Sequence, residues 1–252
     1  MEEKRYRHEY KYPLTHGQAL IENAKINAVA SRDSHTGADG SYQIRSLYFD
    51  DYQNSCYMSN ENGVDEREKF RIRIYNHSTE RITLECKEKY RGMTHKSSSP
   101  ITLSQCEKLM RGEIPSDITK EQRVLHRLAY LMAVRLMRPA VIVEYERIPY
   151  VYRMQDANVR VTFDRKILSG SDVRAFLDER IAGRGILPVG TELMEVKFDS
   201  FLPDEIYQIL QLEGLGHLPF PSITCAENFR CGRRGKRSAE TKTGQGAAGS
   251  YK

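Results

Sequence analysis

Glu68-Lys69-Phe70-Arg71-Ile72-Arg73-Ile74-Tyr75 is followed, across the polar stretch Asn76 to Glu80, by Ile82-Thr83-Leu84-Glu85-Cys86-Lys87-Glu88-Lys89. Both halves alternate with a period of two, the pattern of β-strands. Phe70, Ile72 and Ile74 share one face of the first strand; Arg71 and Arg73 share the other. Ile82, Leu84 and Cys86 share one face of the second, opposite Glu85, Lys87 and Lys89. The linker is short enough to make the two strands antiparallel neighbours in a hairpin. One surface of this hairpin is apolar, and the opposite one carries cations with a carboxylate among them. A single hairpin of this kind describes an ordinary sheet with a wet outer face. Recurrence of the pattern along the chain asks for more.

Working outward, Lys4 to Tyr12 sets Tyr6, His8, Tyr10 and Tyr12 against Arg5, Arg7, Glu9 and Lys11. Val159, Val161 and Phe163 oppose Arg160, Thr162 and Asp164, and Met194, Val196 and Phe198 oppose Glu195, Lys197 and Asp199. Further strands are expected at Tyr42 to Phe49, Met93 to Ile101 and Ala140 to Tyr152. The last of these holds Glu144, Tyr145, Glu146 and Arg147. Thr15 with Gln18, Thr102 with Gln105, and Thr119 with Gln122 have capping-box spacing, so helices are expected to follow each. The first should run to about Val29 and the second to Met110. The third carries Val124, Leu125, Leu128, Met132 and Leu136 and should stop at Arg138-Pro139. Helices are also expected over Ser171 to Ile181 and after Pro203, with Ile206, Ile209 and Leu210 buried. Ser31 to Ser41 and Tyr52 to Asp65 read as loops.

The chain has 252 residues, is 39% hydrophobic and 29% charged, and has a formal net charge of +5. That length supports one substantial core. The charge is too mild for a tail-driven nucleic-acid binder, and the basic residues interleave with carboxylates instead of forming a stripe, so no nucleic-acid partner is expected. Five cysteines (Cys56, Cys86, Cys106, Cys225 and Cys231) make no close motif, and Met1 to Arg5 has no apolar signal segment. No apolar run reaches the ~18 residues of a membrane span. A cytoplasmic location is the simplest reading. Residues 232–252 lack periodicity and read as a disordered basic tail behind a domain spanning 1–231.

Two builds satisfy strands with one greasy and one charged face. The sheet can pack helices on its apolar face and leave the charged face wet, or it can close into a barrel whose charged faces line the interior. The closed build needs interleaved carboxylates and an anionic ligand to offset repulsion and desolvation. Alternation alone admits both.

Arg7-His8-Glu9-Tyr10-Lys11-Tyr12, Ser46-Leu47-Tyr48-Phe49-Asp50, Phe70 to Tyr75, Leu84-Glu85-Cys86-Lys87, Glu144-Tyr145-Glu146-Arg147, Val159 to Asp164 and Met194 to Phe198 occur in this order. Together they resemble the catalytic domain of vacuolar transporter chaperone (VTC)-type polyphosphate polymerases, in the triphosphate tunnel metalloenzyme superfamily beside the CYTH phosphatases. The resemblance covers roughly residues 4 to 231. It implies an α+β fold: an antiparallel eight-stranded β-barrel, the triphosphate tunnel, with helices outside. It implies that Lys11, Arg71, Arg73, Lys87 and Arg147 act on the phosphates. Arg67, Lys96, Tyr145, Arg160 and Lys197 would join them in binding. It implies Mn²⁺ or Mg²⁺ on Glu195, with Glu9 and Glu85 as further candidates, and ATP, triphosphate or polyphosphate as ligand. A membrane partner is compatible with it.

These residue types suit that chemistry. Guanidinium groups grip phosphate oxygens at two points, lysines act as point charges, and hard divalent cations prefer oxygen ligands. Phosphoryl transfer asks mainly for in-line positioning and charge neutralisation. Two positions depart from the family pattern. Asn228 stands where a tunnel lysine is usual, and Arg7 stands where the phosphatases carry a glutamate. Three functions therefore stay open: polyphosphate polymerase, triphosphatase, and non-catalytic polyphosphate-binding module.

Overall fold

The computed structural model describes residues 7–34, 36–37, 39–154, 157–212 and 215. The start of the first expected strand, Cys225, Cys231, Asn228 and the tail from 232 lie outside them. In chain order the elements are β1 (His8–Thr15), α1 (His16–Asn27), β2 (Ser31–Arg32), β3 (Tyr42–Asp50), α2 (Ser55–Glu61), β4 (Arg67–Tyr75), β5 (Ser78–Tyr90), β6 (Met93–Ile101), α3 (Leu103–Met110), α4 (Arg123–Val134), β7 (Arg138–Met154), β8 (Ala157–Gly170), a 3₁₀ turn (Val173–Leu177), β9 (Arg184–Gly185), β10 (Thr191–Phe198) and α5 (Asp204–Ile209).

Eight long strands form one antiparallel sheet in the order β1-β10-β8-β7-β3-β4-β5-β6, with short β2 on β7 and β9 on β8. The sheet curls until its two edges meet. Arg7, just before β1, exchanges both backbone hydrogen bonds with Thr94 of β6, at 2.9 and 3.0 Å. The β4–β5 turn is only Asn76-His77, both with positive φ (49° and 56°), which suits the right-handed twist of a two-residue hairpin.

Helices cover the outer faces. Phe70, Ile72, Ile74 and Leu84 pack with Leu109 of α3 and Leu125 and Leu128 of α4. Leu14, Phe163 and Val196 pack with Ile26 of α1 and with Ile206 and Leu210. The apolar half of the alternation is thus the outside of a barrel, and the charged half is its inside. Leu128 is fully buried. Leu128→Ala is expected to cost about 2–5 kcal/mol in denaturant unfolding, because a truncated core side chain leaves a cavity.

Both capping boxes expected at Thr15 and Thr102 form. The third does not. Gln122 accepts from the Thr119 N–H but turns its amide to Pro100 and Gln105, and α4 starts at Arg123 without a side-chain cap. That helix ends at Val134, since the chain reverses at Leu136 (φ 55°), which is exposed. The Tyr52–Asp65 stretch expected as a loop contains α2. Its first N–H groups are held by carboxylates just upstream: Asp51 accepts from Ser55, and Asp50 from Cys56 and Tyr57. The Ser31–Ser41 loop contributes β2, Ile209 is only half-buried, and Ser171–Ile181 holds a single 3₁₀ turn. β7 outruns its expected bounds slightly at both ends, and β8 runs on past Phe163 because positive φ at Lys166 interrupts the alternation that would have marked its second half.

Candidate active site

Strand parity turns Arg71 and Arg73 of β4 inward, and register sets Glu85 of β5 directly opposite Arg71. Glu85 is 2% exposed and is the hub of one cluster. Arg71 donates to its Oε2 from Nε at 2.8 Å and from Nη2 at 2.7 Å, and Lys96 donates to Oε1 at 2.9 Å. Arg73 lies 3.5 Å away. Burial would raise the Glu85 pKa, but the three cations outweigh it and hold the carboxyl well below its ordinary range. Arg71 also donates to the Tyr48 hydroxyl at 2.8 Å, so each of its three nitrogens has a protein partner. Arg73 is held more loosely, at 3.4 Å from Ser46 Oγ and 3.5 Å from the Tyr145 hydroxyl.

The second cluster joins β1, β10, β7 and β8. Register pairs Lys11 with Glu195 and Glu9 with Lys197, so each inward charge faces its opposite across the ladder. Lys11 Nζ lies 3.2 Å from Glu9 and 3.4 Å from Glu195. Lys197 reaches Glu195 at 3.0 Å, and Arg147 reaches it at 3.4 Å while gripping Asp164 at two points, 2.6 and 2.7 Å. Burial pushes against ionisation of Glu195, yet Lys197 and Lys11 keep it well below the usual carboxylate range. Burial also depresses Lys11, but Glu195 and Glu9 more than compensate and raise it. Lys87 of β5, two residues on from Glu85, donates to Glu9 at 2.5 Å. Desolvation outweighs that one partner and lowers Lys87 to about 8.

The structure therefore brings Glu9, Lys11, Arg71, Arg73, Glu85, Lys87, Lys96, Tyr145, Arg147, Glu195 and Lys197 to one inner wall. Arg160 sits at the mouth, donating to Asp33 and to the Tyr42 hydroxyl. That mouth is a cavity of about 930 Å³ whose floor includes Glu85, Lys96, Arg160 and Lys197. Arg67 is not gathered into this mouth. It donates to the Val64 carbonyl and lines a separate cavity of about 390 Å³. Sequence reading missed Tyr48 and Asp164 as partners. Asp164 shares a face with Arg160, and that parity could have found it; Tyr48 carried no such signal. It also missed an apolar lining, where Ile44, Tyr48, Val141, Val143, Ile167 and Leu193 cluster on the inward side of β3, β7, β8 and β10. The group Glu68, Cys86 and Glu88 could hold an ion among the described residues, but it lies on the outer face, where Arg127 of α4 pairs with Glu68.

The fold is similar to that of solved proteins. A candidate adenylate cyclase from Bacillus halodurans aligns with a TM-score of 0.50 and 12% identity, over 86% of this chain and 95% of that one. The PH1819 protein of Pyrococcus horikoshii aligns at 0.44 and 12%, over 87% and 97%. Hippeastrum HpAC1, described as having a dominant triphosphatase activity, aligns at 0.45 and 14%, over 92% and 96%. No curated protein matches the chain. The VTC domain matches residues 6–225, the whole of the described barrel, and the chain belongs to the VTC domain family.

Proposed function

We propose that the barrel binds the phosphates of ATP and transfers the γ-phosphoryl group to a growing polyphosphate chain. The observation that carries this reading is the inward convergence of cations from six strands upon only a few carboxylates. Such an interior is stable with an anion in it and strained by repulsion without one. Arg73, Lys11, Lys87 and Arg147 would hold phosphate oxygens. The P–O bond to the β-phosphate breaks as a terminal oxygen of the acceptor chain bonds to the γ-phosphorus, and ADP leaves. The walls supply alignment and charge neutralisation, which is most of what this reaction asks.

Glu9 and Glu195 fit a divalent cation. Their side chains are enclosed, ionised, oxygen-bearing and close enough to share Lys11. Hard ions such as Mg²⁺ or Mn²⁺ prefer such donors, and an ion held by Glu9 and Glu195 would supply neutralisation of phosphate charge. Glu85 is already spent on three cations, and we assign it to holding Arg71 and Lys96. Among the described residues Cys56, Cys86 and Cys106 form no disulfide, which suits a reducing cytoplasm.

Incubation with ATP and Mn²⁺, with products resolved on a gel, tests the reading. Long polyphosphate is expected. Orthophosphate alone would make water the acceptor and the protein a triphosphatase, and neither product would make it a binding module.

Lys87 sets a pH dependence. With its pKa at about 8 in the free protein, it is charged below that pH and neutral above it. Phosphate needs the charged form and raises that pKa on binding, so binding takes up a proton above pH 8. Tripolyphosphate affinity is expected to fall by up to about tenfold per pH unit from pH 8 to 9.5, as read by calorimetry. Lys87→Met should flatten that slope; an unchanged slope would exclude Lys87 as its source.

A further inference from the structure

The inner wall carries a row of three lysines across three neighbouring strands. Lys69 of β4 is registered against Lys87 of β5, and Lys87 against Lys96 of β6. Like charges directly opposite in a sheet repel. Two members of the row have a carboxylate: Lys87 has Glu9 and Lys96 has Glu85. Lys69 has none. Its side chain is inward, because its neighbours face out: Phe70 lies in the outer core and Glu68 meets Arg127. The residue is only 9% exposed, and among the described residues its enclosed ammonium has no hydrogen-bond partner.

A buried, unpaired ammonium is costly, and folding does not retain one without compensation. Replacing it with a neutral side chain would relieve both the desolvation and the repulsion from Lys87. The row is one negative charge short, and it lies on the same face of β4 as Arg71 and Arg73, one two-residue step beyond Arg71. From Tyr75 at the mouth, Lys69 is three such steps along the strand, about 20 Å. We propose that Lys69 binds substrate directly, taking the phosphate group that lies furthest from the mouth. This rests on the phosphate reading of the barrel and adds to it a deep subsite for the inner end of a linear triphosphate or polyphosphate.

Calorimetry with tripolyphosphate on the parent, Lys69→Met and Lys69→Arg tests it, together with melting temperatures without ligand. Lys69→Met is expected to bind about tenfold to a hundredfold more weakly, the range for one charge-assisted hydrogen bond. It should melt no lower than the parent, and Lys69→Arg should recover most of the affinity. Lys69→Gln reports the same loss should the Met variant fail to fold. Unchanged affinity in the neutral variant, with the parent binding normally, overturns the Lys69 subsite and leaves the phosphate reading standing. A parent that binds no tripolyphosphate overturns both.

Discussion

Glu195→Gln is expected to reduce metal-dependent turnover by roughly a hundredfold to ten-thousandfold, the rate equivalent of several kcal/mol of transition-state charge stabilisation. Glutamine keeps the shape and one carbonyl oxygen but loses the charge. Glu195 sits among Lys11, Lys197 and Arg147, so the substitution also leaves three cations around a neutral amide. Two consequences separate this from simple misfolding. The unliganded protein should melt lower, because breaking a buried ion pair leaves charge uncompensated. Tripolyphosphate should restore the melting temperature, because the ligand supplies the missing negative charge. Metal-free binding of tripolyphosphate is therefore retained while turnover is lost. Full Mn²⁺-dependent turnover in the variant would move the ion away from Glu195.

Arg73→Ala is expected to weaken tripolyphosphate binding by about tenfold to a hundredfold, from a charge-assisted hydrogen bond of ~1.5–3 kcal/mol. Arg73→Lys should recover part of that, since it keeps the charge but loses the planar two-point grip. Arg73 is the sharper test of the arginine pair because its protein contacts are long, at 3.4 and 3.5 Å, which leaves its guanidinium available. Arg71 is committed to Glu85 and Tyr48, so Arg71→Ala would disturb the wall before it reported on ligand. The Arg73→Ala melting temperature without ligand should change little, since Glu85 keeps Arg71 and Lys96. Binding measured by calorimetry that equals the parent's would remove Arg73 from the phosphate site.

The barrel was legible in the strands whose alternation is unbroken. In β1, β4, β5 and β10, every second residue already separates helix-packed from inward side chains, and the register adds only which charges meet. β7 and β8 were legible in part. Bulges near Tyr145 and Lys166 shift the parity, so a pattern of period two fades there although pairing continues. Parity could not choose between a wet open face and an interior either. That choice depends on closure, which rests on Arg7 meeting Thr94, 87 residues away in the chain. The candidate site was legible as residue types and faces. The sharing of Glu9 and Glu195 by Lys11, and the isolation of Lys69, depend on distances between strands far apart in sequence. The capping of α2 by Asp50 and Asp51 was missed because those carboxylates precede the N–H groups they hold by four to seven residues, outside the usual box.

The most direct test of the central claim is a crystal structure of the protein soaked with tripolyphosphate and Mn²⁺. Phosphate density is expected on the inner wall among Arg73, Lys87, Lys11 and Arg147, with the ion beside Glu195. Phosphate found only on the outer surface, with the inner side chains still paired to one another, would contradict it.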